Sequence, residues 1–212
     1  MTSDAEHSLE IERKYDVDAE TPLPDWTELP GVDAVGEPEP RQLDARYLDS
    51  ADGALGRARI ALRRRTGGPD EGWHVKRVTP DGKAETRWPL DGDGDGAGDT
   101  IVVPDAVAAA VAEIATPPFT VLARIRNSRT AYALTSADGA VVAEFVDDRV
   151  DATDERTGRS TTWREWELEL GPAAPPDESA REELFARAED LVRRAGGVPA
   201  ASESKLGRAL GV

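Results

Sequence analysis

Residues 8–17 read SLEIERKYDV. Leu9, Ile11, Arg13 and Tyr15 fall on one parity; Glu10, Glu12 and Lys14 fall on the other. A period of two belongs to a β-strand, whose side chains alternate between faces. One face of this strand is wholly charged and the other largely apolar, so the fold must supply two environments for it. Before it, MTSDAEH lacks the basic-then-apolar pattern of a secretory leader. After it, Pro22, Pro24, Pro30, Pro38 and Pro40 rule out a long element over 18–40. That stretch reads as a loop, with one helical turn near Asp25–Leu29.

Further along, short strands are expected at 41–49, 56–65, 72–79 and 84–90, separated by Gly-rich or Pro-Asp-Gly turns at hairpin spacing. Strands resume at 120–126, 129–135, 140–148 and 161–170, with a hairpin turn at Ala137-Asp138-Gly139. Helices are expected at 104–115, with Pro104 in its first turn, at 177–195, stopped by Gly196, and near Ser202–Leu210. Strands, helix, strands, helix is an α+β order, read as one domain over 1–212. Residues 91–99, DGDGDGAGD, begin like a calcium loop. The twelfth position is Val102 instead of glutamate and Gly98 takes the apolar position, so a flexible acidic loop is expected.

The chain carries 42 acidic and 26 basic residues, a net charge of −16. A uniformly acidic surface argues against nucleic-acid and anionic-membrane partners. No apolar run approaches the ~20 residues of a membrane span, so a cytoplasmic location is expected. There is no cysteine, which excludes disulfides and thiolate chemistry, and His7 and His74 are too few for a histidine-rich metal site. Catalysis resting on a histidine pair is not expected either.

Those residues are arranged in rows. Arg63 and Arg65 share a parity, with Arg57 and Arg59 further back; Lys76 shares one with His74, Glu85 with Arg87, Arg124 with Arg126, and Glu144 with Asp148. Glu165, Glu167 and Glu169 form an acidic row on the last strand, against Trp163, Trp166, Leu168 and Leu170. Single charged faces are commonly solvated outer faces of a sheet. Segregated acidic and basic rows backed by apolar parities fit a closed barrel better, with charges in the lumen and helices packed outside. Basic rows facing acidic rows can hold a polyanion together with its metal ions. Arginine forks match phosphate oxygens, and carboxylates suit Mg²⁺ or Mn²⁺. Phosphoryl transfer needs mainly positioning and charge stabilisation. Arg13 and Arg64 lie on the outward parity and are left out of the site.

Glu10-Ile11-Glu12-Arg13-Lys14 resembles the ExExK signature of the CYTH domain, the triphosphate tunnel metalloenzyme family. Further resemblances follow in the family's order: Tyr47-Leu48-Asp49, Leu62-Arg63-Arg64-Arg65, Trp73-His74-Val75-Lys76, Arg126 and Arg129, Asp148, Trp166-Glu167-Leu168-Glu169-Leu170, and Ser204-Lys205. The resemblance implies an eight-stranded antiparallel barrel open as a tunnel. It implies metal-side carboxylates at Glu10, Glu12, Glu167 and Glu169, with Asp148 and Glu165 assisting. Phosphate binding would fall to Lys14, Arg63, Arg65, Lys76, Arg87, Arg126, Arg129 and Lys205. The implied activity is metal-dependent hydrolysis of inorganic triphosphate. Thiamine triphosphatase, class IV adenylate cyclase and a non-enzymatic polyphosphate- or nucleotide-binding module are the alternatives. The segment around Glu85 and Arg87 matches only loosely, and the helical companion domain of many bacterial members has no counterpart in the sequence. Related barrels can be dimers, so a homodimer is possible.

Overall fold

The computed structural model describes residues 5–90 and 101–211; the acidic stretch 91–99 lies outside them. Its elements in chain order are β1 (Glu6–Glu10), β2 (Glu12–Val17), β3 (Ala34–Val35), β4 (Glu39–Ser50), α1 (Ala54–Arg57), β5 (Ile60–Thr66), β6 (Gly72–Thr79), β7 (Gly82–Trp88), α2 (Asp105–Ala109), β8 (Phe119–Thr135), β9 (Val141–Asp154), β10 (Arg159–Leu170), α3 (Glu178–Ala195), β11 (Val198–Pro199) and α4 (Lys205–Leu210). The turn near Asp25–Leu29 is a 3-10 turn over Trp26–Glu28, capped by the Asp25 side chain.

All strand pairs are antiparallel, in the order β1-β7-β6-β5-β4-β8-β9-β10-β2. The two ends of that order, β1 and β2, are consecutive in the chain and separated only by Ile11. Leu9 pairs with Ala84 on one side and Glu12 with Glu169 on the other. The Ile11 carbonyl accepts from the Leu170 amide at 2.9 Å. Segment 6–17 is thus one bent stave that closes the sheet into an eight-stave barrel, with β3 and β11 as short additions. Closure needs a close approach at Gly82, whose φ is +145°. A Cβ there would sit 2.4 Å from the Glu10 carbonyl oxygen.

Alternation sets the layers. Tyr15, Phe145, Trp166 and Leu168 point outward and are covered by α3 through Leu184, Ala188, Leu191 and Val192. Phe145 lies 4.6 Å from Trp26 and meets Trp166 edge-on at 5.7 Å, centroid to centroid. Leu62, Trp73, Val75 and Trp88 form a second outer cluster with Val107 and Val111 near α2. Arg13, outward as expected, stacks on Phe185 at 4.4 Å.

Several boundaries differ from the sequence reading. The strands expected at 120–126 and 129–135 are one 17-residue strand, β8. Asn127 and Ser128, which read as a break, are accommodated because β4 and β9 flank β8 along most of its length and satisfy its backbone. Gly56 and Arg57, expected to start a strand, belong instead to helix α1, since the Asp49 carboxylate accepts from the amides of Leu55 and Gly56, both at 2.9 Å. The helix expected over 104–115 is α-helical only over Asp105–Ala109. It then tightens into i→i+3 turns, such as Val111 to Ala108 and Ala112 to Ala109.

Candidate active site

The lumen of the barrel is a cavity of about 1010 Å³. Ten basic residues line it against seven acidic ones, in a chain whose net charge is −16. With Asp148, Glu165 and Glu85 buried directly behind the lining, acids and bases in the interior balance, so the interior is far less hostile to an anion than the acidic exterior.

Three groups of charges occupy it. In the first, the Lys205 ammonium lies 2.9 Å from Asp148, 2.6 Å from Glu165 and 2.7 Å from Glu167. Arg129 forks onto Asp148 at 2.8 and 2.7 Å and reaches Glu167 at 2.9 Å. Lys14 bonds Glu167 and lies 3.1 Å from Glu12. In the second, Lys76 bonds Glu10 at 2.6 and 2.7 Å and lies 3.4 Å from Glu85. Glu85 is also 3.7 Å from Arg63, whose other contact is the Tyr47 hydroxyl at 3.3 Å. Lys83 ties Glu12 into this group at 2.6 Å. In the third, Arg41 forks onto Glu144, both bonds at 3.0 Å, and Arg65 is paired with Asp70.

The protonation states follow from burial and partners. Burial alone would raise Asp148, but Lys205 and Arg129 hold it well below the usual carboxylate range. Glu12 is likewise lowered against its burial, by Lys14 and Lys83. Burial pulls Lys14 down to about 8. Glu169 behaves in the opposite way. Burial and the neighbouring Glu10 and Glu12 carboxylates push it up to about 7, and among the described residues it has no cation in contact.

Most of the residues nominated from sequence converge here. Glu10, Glu12, Lys14, Arg63, Arg65, Lys76, Arg129, Glu167, Glu169 and Lys205 line the cavity. Asp148 and Glu165 stand behind them, buried, and are reached by Lys205 and Arg129. Three expectations need correction. Arg126 points away from the lumen, with its side chain 56% exposed and 3.6 Å from Asp151. The inward parity of β8 is that of Ile125, Asn127 and Arg129, so the 124/126 row lies outside, where Arg124 bonds Asp44. Arg87 is paired with Glu6 at the far end of β7 and is not part of the cavity lining. Trp163 shares the parity of Glu165, not that of Trp166, and donates its ring N–H to Glu165.

The sequence reading missed Arg41 and Lys83. Arg41 shares the parity of Tyr47 on β4, and Lys83 that of Glu85 on β7. Both signals were present but masked, by a Pro-rich approach in one case and a turn in the other. His74 is a wall residue: both ring nitrogens are engaged, Nδ1 by Glu85 and Nε2 by the Asp70 carbonyl at 3.0 Å.

One end of the lumen is filled by α4. Leu206, Ala209 and Leu210 pack against Ala45, Tyr47, Ala123 and Ile125, which holds Lys205 among its carboxylates. Ser204 caps this helix, accepting from the Gly207 amide at 3.0 Å. Ser204→Ala should cost about 1 kcal/mol. A thermal melt would read this as a loss of roughly 2–4 °C, and an unchanged melt would show that packing alone holds the helix.

A family model for the CYTH domain matches residues 8–196. The chain belongs to the CYTH family. Two uncharacterized proteins of Mycobacterium tuberculosis, from strains CDC 1551 and H37Rv, are each 37% identical to it over 214 residues, covering 96% of this chain. The chain spans 40% of the length of these relatives. Among solved structures, a putative adenylate cyclase from Bacillus halodurans superposes with a TM-score of 0.62 at 16% identity, over 95% of this chain and 97% of that one. A putative adenylyl cyclase from Hippeastrum, described as having a dominant triphosphatase activity, gives 0.56 at 18% identity, over 96% of each chain. At these identities the likeness is one of fold.

CYTH proteins are metal-dependent; among the described residues one carboxylate cluster is close enough to hold an ion as it stands, and a second, looser set of carboxylates faces the lumen. Asp148, Glu165 and Glu167 bring one oxygen each within 4.8 Å of one another. That group is already neutralised by Lys14, Lys205 and Arg129. In the other, burial and the charges of Glu10 and Glu12 raise Glu169, which has no cation of its own, while Glu10 is held by Lys76 and Glu12 by Lys14 and Lys83. The hard oxygen donors of these carboxylates fit Mg²⁺ or Mn²⁺. Among the described residues, no helix is long and apolar enough to cross a membrane.

Proposed function

We propose that this CYTH chain hydrolyses inorganic triphosphate to pyrophosphate and orthophosphate, with Mg²⁺ or Mn²⁺, inside the barrel. One observation carries the reading: basic and acidic rows converge on a single lumen that gathers ten lysines and arginines in a chain of net charge −16. The triphosphatase activity described for the Hippeastrum protein of the same fold supports it.

The chemistry is one of exchange. Nearly every lumenal cation is held in advance by a carboxylate, so it is oriented but not free. An entering triphosphate takes the guanidinium forks of Arg63, Arg65 and Arg129, and the ammonium groups of Lys14, Lys76 and Lys205, in place of those carboxylates. Phosphate oxygens carry more charge than the carboxylate they displace, so the exchange favours the substrate. Glu10 and Glu12, relieved of Lys76 and Lys83, join Glu169 as the set that would hold the metal. Bound there, a divalent ion polarises phosphorus and lowers the pKa of water. Lys205 and Arg129 keep the developing negative charge compensated from the closed end, and α4 excludes bulk water there.

The filled end of the lumen favours a bare triphosphate over a nucleotide. Its apolar surface is already covered by Leu206 and Leu210, which leaves little for an adenine ring. We therefore rank cyclase, thiamine triphosphatase and pure binding below hydrolysis. The test is phosphate release from tripolyphosphate, ATP and thiamine triphosphate, with Mg²⁺, with Mn²⁺ and with EDTA. The expected result is metal-dependent release chiefly from tripolyphosphate. Cyclic AMP formed from ATP, or tight binding without release, would replace the reading with the cyclase or the binding module. By this reading the partner is a small anion, with neither nucleic acid nor membrane involved.

A further inference from the structure

Among the described residues, Arg59 is the one non-glycine residue with positive φ, at +56°. An L-residue in the left-handed region is strained by contact between its Cβ and the backbone, and an arginine has no short polar side chain to offset this locally. Strain of that kind persists where the surroundings impose it, and it collects at functional sites. Here the surroundings are explicit. The buried Asp49 carboxylate clamps the amides of Leu55 and Gly56, Leu55 is buried in the outer core, and the Arg59 amide bonds the Gly56 carbonyl at 3.0 Å. The chain must then turn sharply into β5, and Arg59 is the residue at the turn.

Its side chain is exposed and lines the lumen, beside Gly56, Ile60 and Ala61. Its electrostatic situation differs from that of every other cation lining the cavity. Lys14, Arg41, Arg63, Arg65, Lys76, Lys83, Arg129 and Lys205 each contact a carboxylate, and Arg77 bonds the Ala110 carbonyl at 2.5 Å. Arg57, two residues earlier, is paired with Asp52. Among the described residues, the Arg59 side chain has no such partner. Arg59 and Arg77 are the two lining cations without a carboxylate in contact among the described residues, and only Arg77 is held by a hydrogen bond, so Arg59 is the one left free to move onto an anion.

The geometry points to Arg59 as the capture residue of the lumen: a strained, uncompensated guanidinium at the cavity edge that binds the outer phosphate of an inorganic polyphosphate before the inner cations exchange partners. This deepens the proposed triphosphatase reading and rests on it. An anion approaching this acidic molecule is repelled by most of its surface, so an exposed free cation on the cavity lining contributes more than one pre-paired inside. The same logic makes its contribution sensitive to salt.

The experiment is calorimetric titration of tripolyphosphate in EDTA, at low and at high salt, on wild type, Arg59→Ala, Arg59→Gly and Arg59→Lys, each with a thermal melt. At low salt, Arg59→Ala and Arg59→Gly should both bind about fivefold more weakly, and Arg59→Lys should recover most of the loss. At high salt the difference should shrink to less than about twofold. Arg59→Gly should melt at or above the wild-type temperature, because glycine adopts positive φ without strain. Wild-type affinity in Arg59→Ala and Arg59→Gly at low salt would overturn the inference and leave the triphosphatase reading intact. A lowered melt in Arg59→Gly would make Arg59 structural and overturn it as well. Wild-type protein that does not bind tripolyphosphate would remove both.

Discussion

Glu167→Gln is expected to lower tripolyphosphate turnover by at least about a hundredfold, equivalent to about 2.7 kcal/mol of transition-state stabilisation, while the protein stays folded. The argument starts from its neighbours. Glu167 is the one carboxylate touched by Lys14, Arg129 and Lys205 together, and it uses both oxygens to do so. It fixes three cations of the proposed phosphate site relative to one another, and a displacement of the order of 1 Å in such an array is costly. Glutamine keeps the shape but removes the charge and offers an N–H₂ to groups that are donors themselves. At least one of the three cations must move away. The fold should tolerate this better than the chemistry does. Asp148 still forks onto Arg129, Glu165 still holds Lys205, and Glu12 still holds Lys14. Steady-state phosphate release at saturating metal, with a thermal melt of the same preparation, separates the two. Turnover within a few fold of wild type would remove Glu167 from the site, and a collapsed melt would make it structural.

The comparison of sequence with structure turns on parity. Glu165, Glu167 and Glu169 could be placed because β10 pairs without a bulge along its length, so counting by two never slips. The same holds for Glu10, Glu12 and Lys14, where the interruption at Ile11 falls on the outward parity and costs the lumenal row nothing. Parity failed where the starting face was wrong. On β8, Arg124 and Arg126 offered two charges to one face, and Asn127 and Arg129 offered weaker evidence for the other. Only the pairing of Arg129 opposite Asp148 decides between them, and that pairing is a non-local fact. Trp163 was assigned by hydrophobicity against its own parity. Its inward position makes sense only once Leu206 and Leu210 of α4 are seen to bring apolar surface into a charged lumen. Arg59 was legible as a base near the site, but its strain was not. That strain depends on the Asp49 clamp, which turns residues expected to be strand into α1.

The last expectation concerns pH. Between about pH 5 and about pH 8, the metal-free protein should lose stability relative to its Glu169→Gln variant, and Mg²⁺ or Mn²⁺ should restore it at the alkaline end only. Glu169 carries the effect. Its ordinary value is 4.5, and in the folded protein burial, Glu10 and Glu12 push it up to about 7. Below about pH 4.5 both folded and unfolded chains hold the proton, and Glu169 costs nothing. Between the two values the unfolded chain releases the proton while the folded chain keeps it. The unfolded state then binds fewer protons, and stability falls as pH rises. Above pH 7 the folded protein bears the full cost of a third carboxylate beside Glu10 and Glu12, about 3 kcal/mol, or roughly 10 °C in melting temperature for a chain of this size. Asp148 and Glu12 act with the opposite sign, since their values are lowered on folding, but the stability they add is lost only below the window in question. His74 also acts with the opposite sign, and inside the window: burial and the surrounding cations hold it far below its ordinary 6.5, so between about pH 5 and pH 6.5 the unfolded chain takes a proton that the folded chain refuses, and stability rises with pH. The Glu169 effect is therefore read as the difference between wild type and Glu169→Gln, in which the His74 contribution cancels. A divalent ion held by Glu10, Glu12 and Glu169 needs all three deprotonated, so it competes with the Glu169 proton at pH 5 and not at pH 8. Glu169→Gln removes the titrating group. Its metal-free stability should no longer fall across the window but rise toward pH 6.5 as the His74 cost disappears, and its melt at pH 8 should respond far less to metal. Parallel pH curves for wild type and Glu169→Gln would show that the three carboxylates are not coupled, and would move the metal to the Asp148, Glu165 and Glu167 group, where Lys205 would have to leave before an ion could bind.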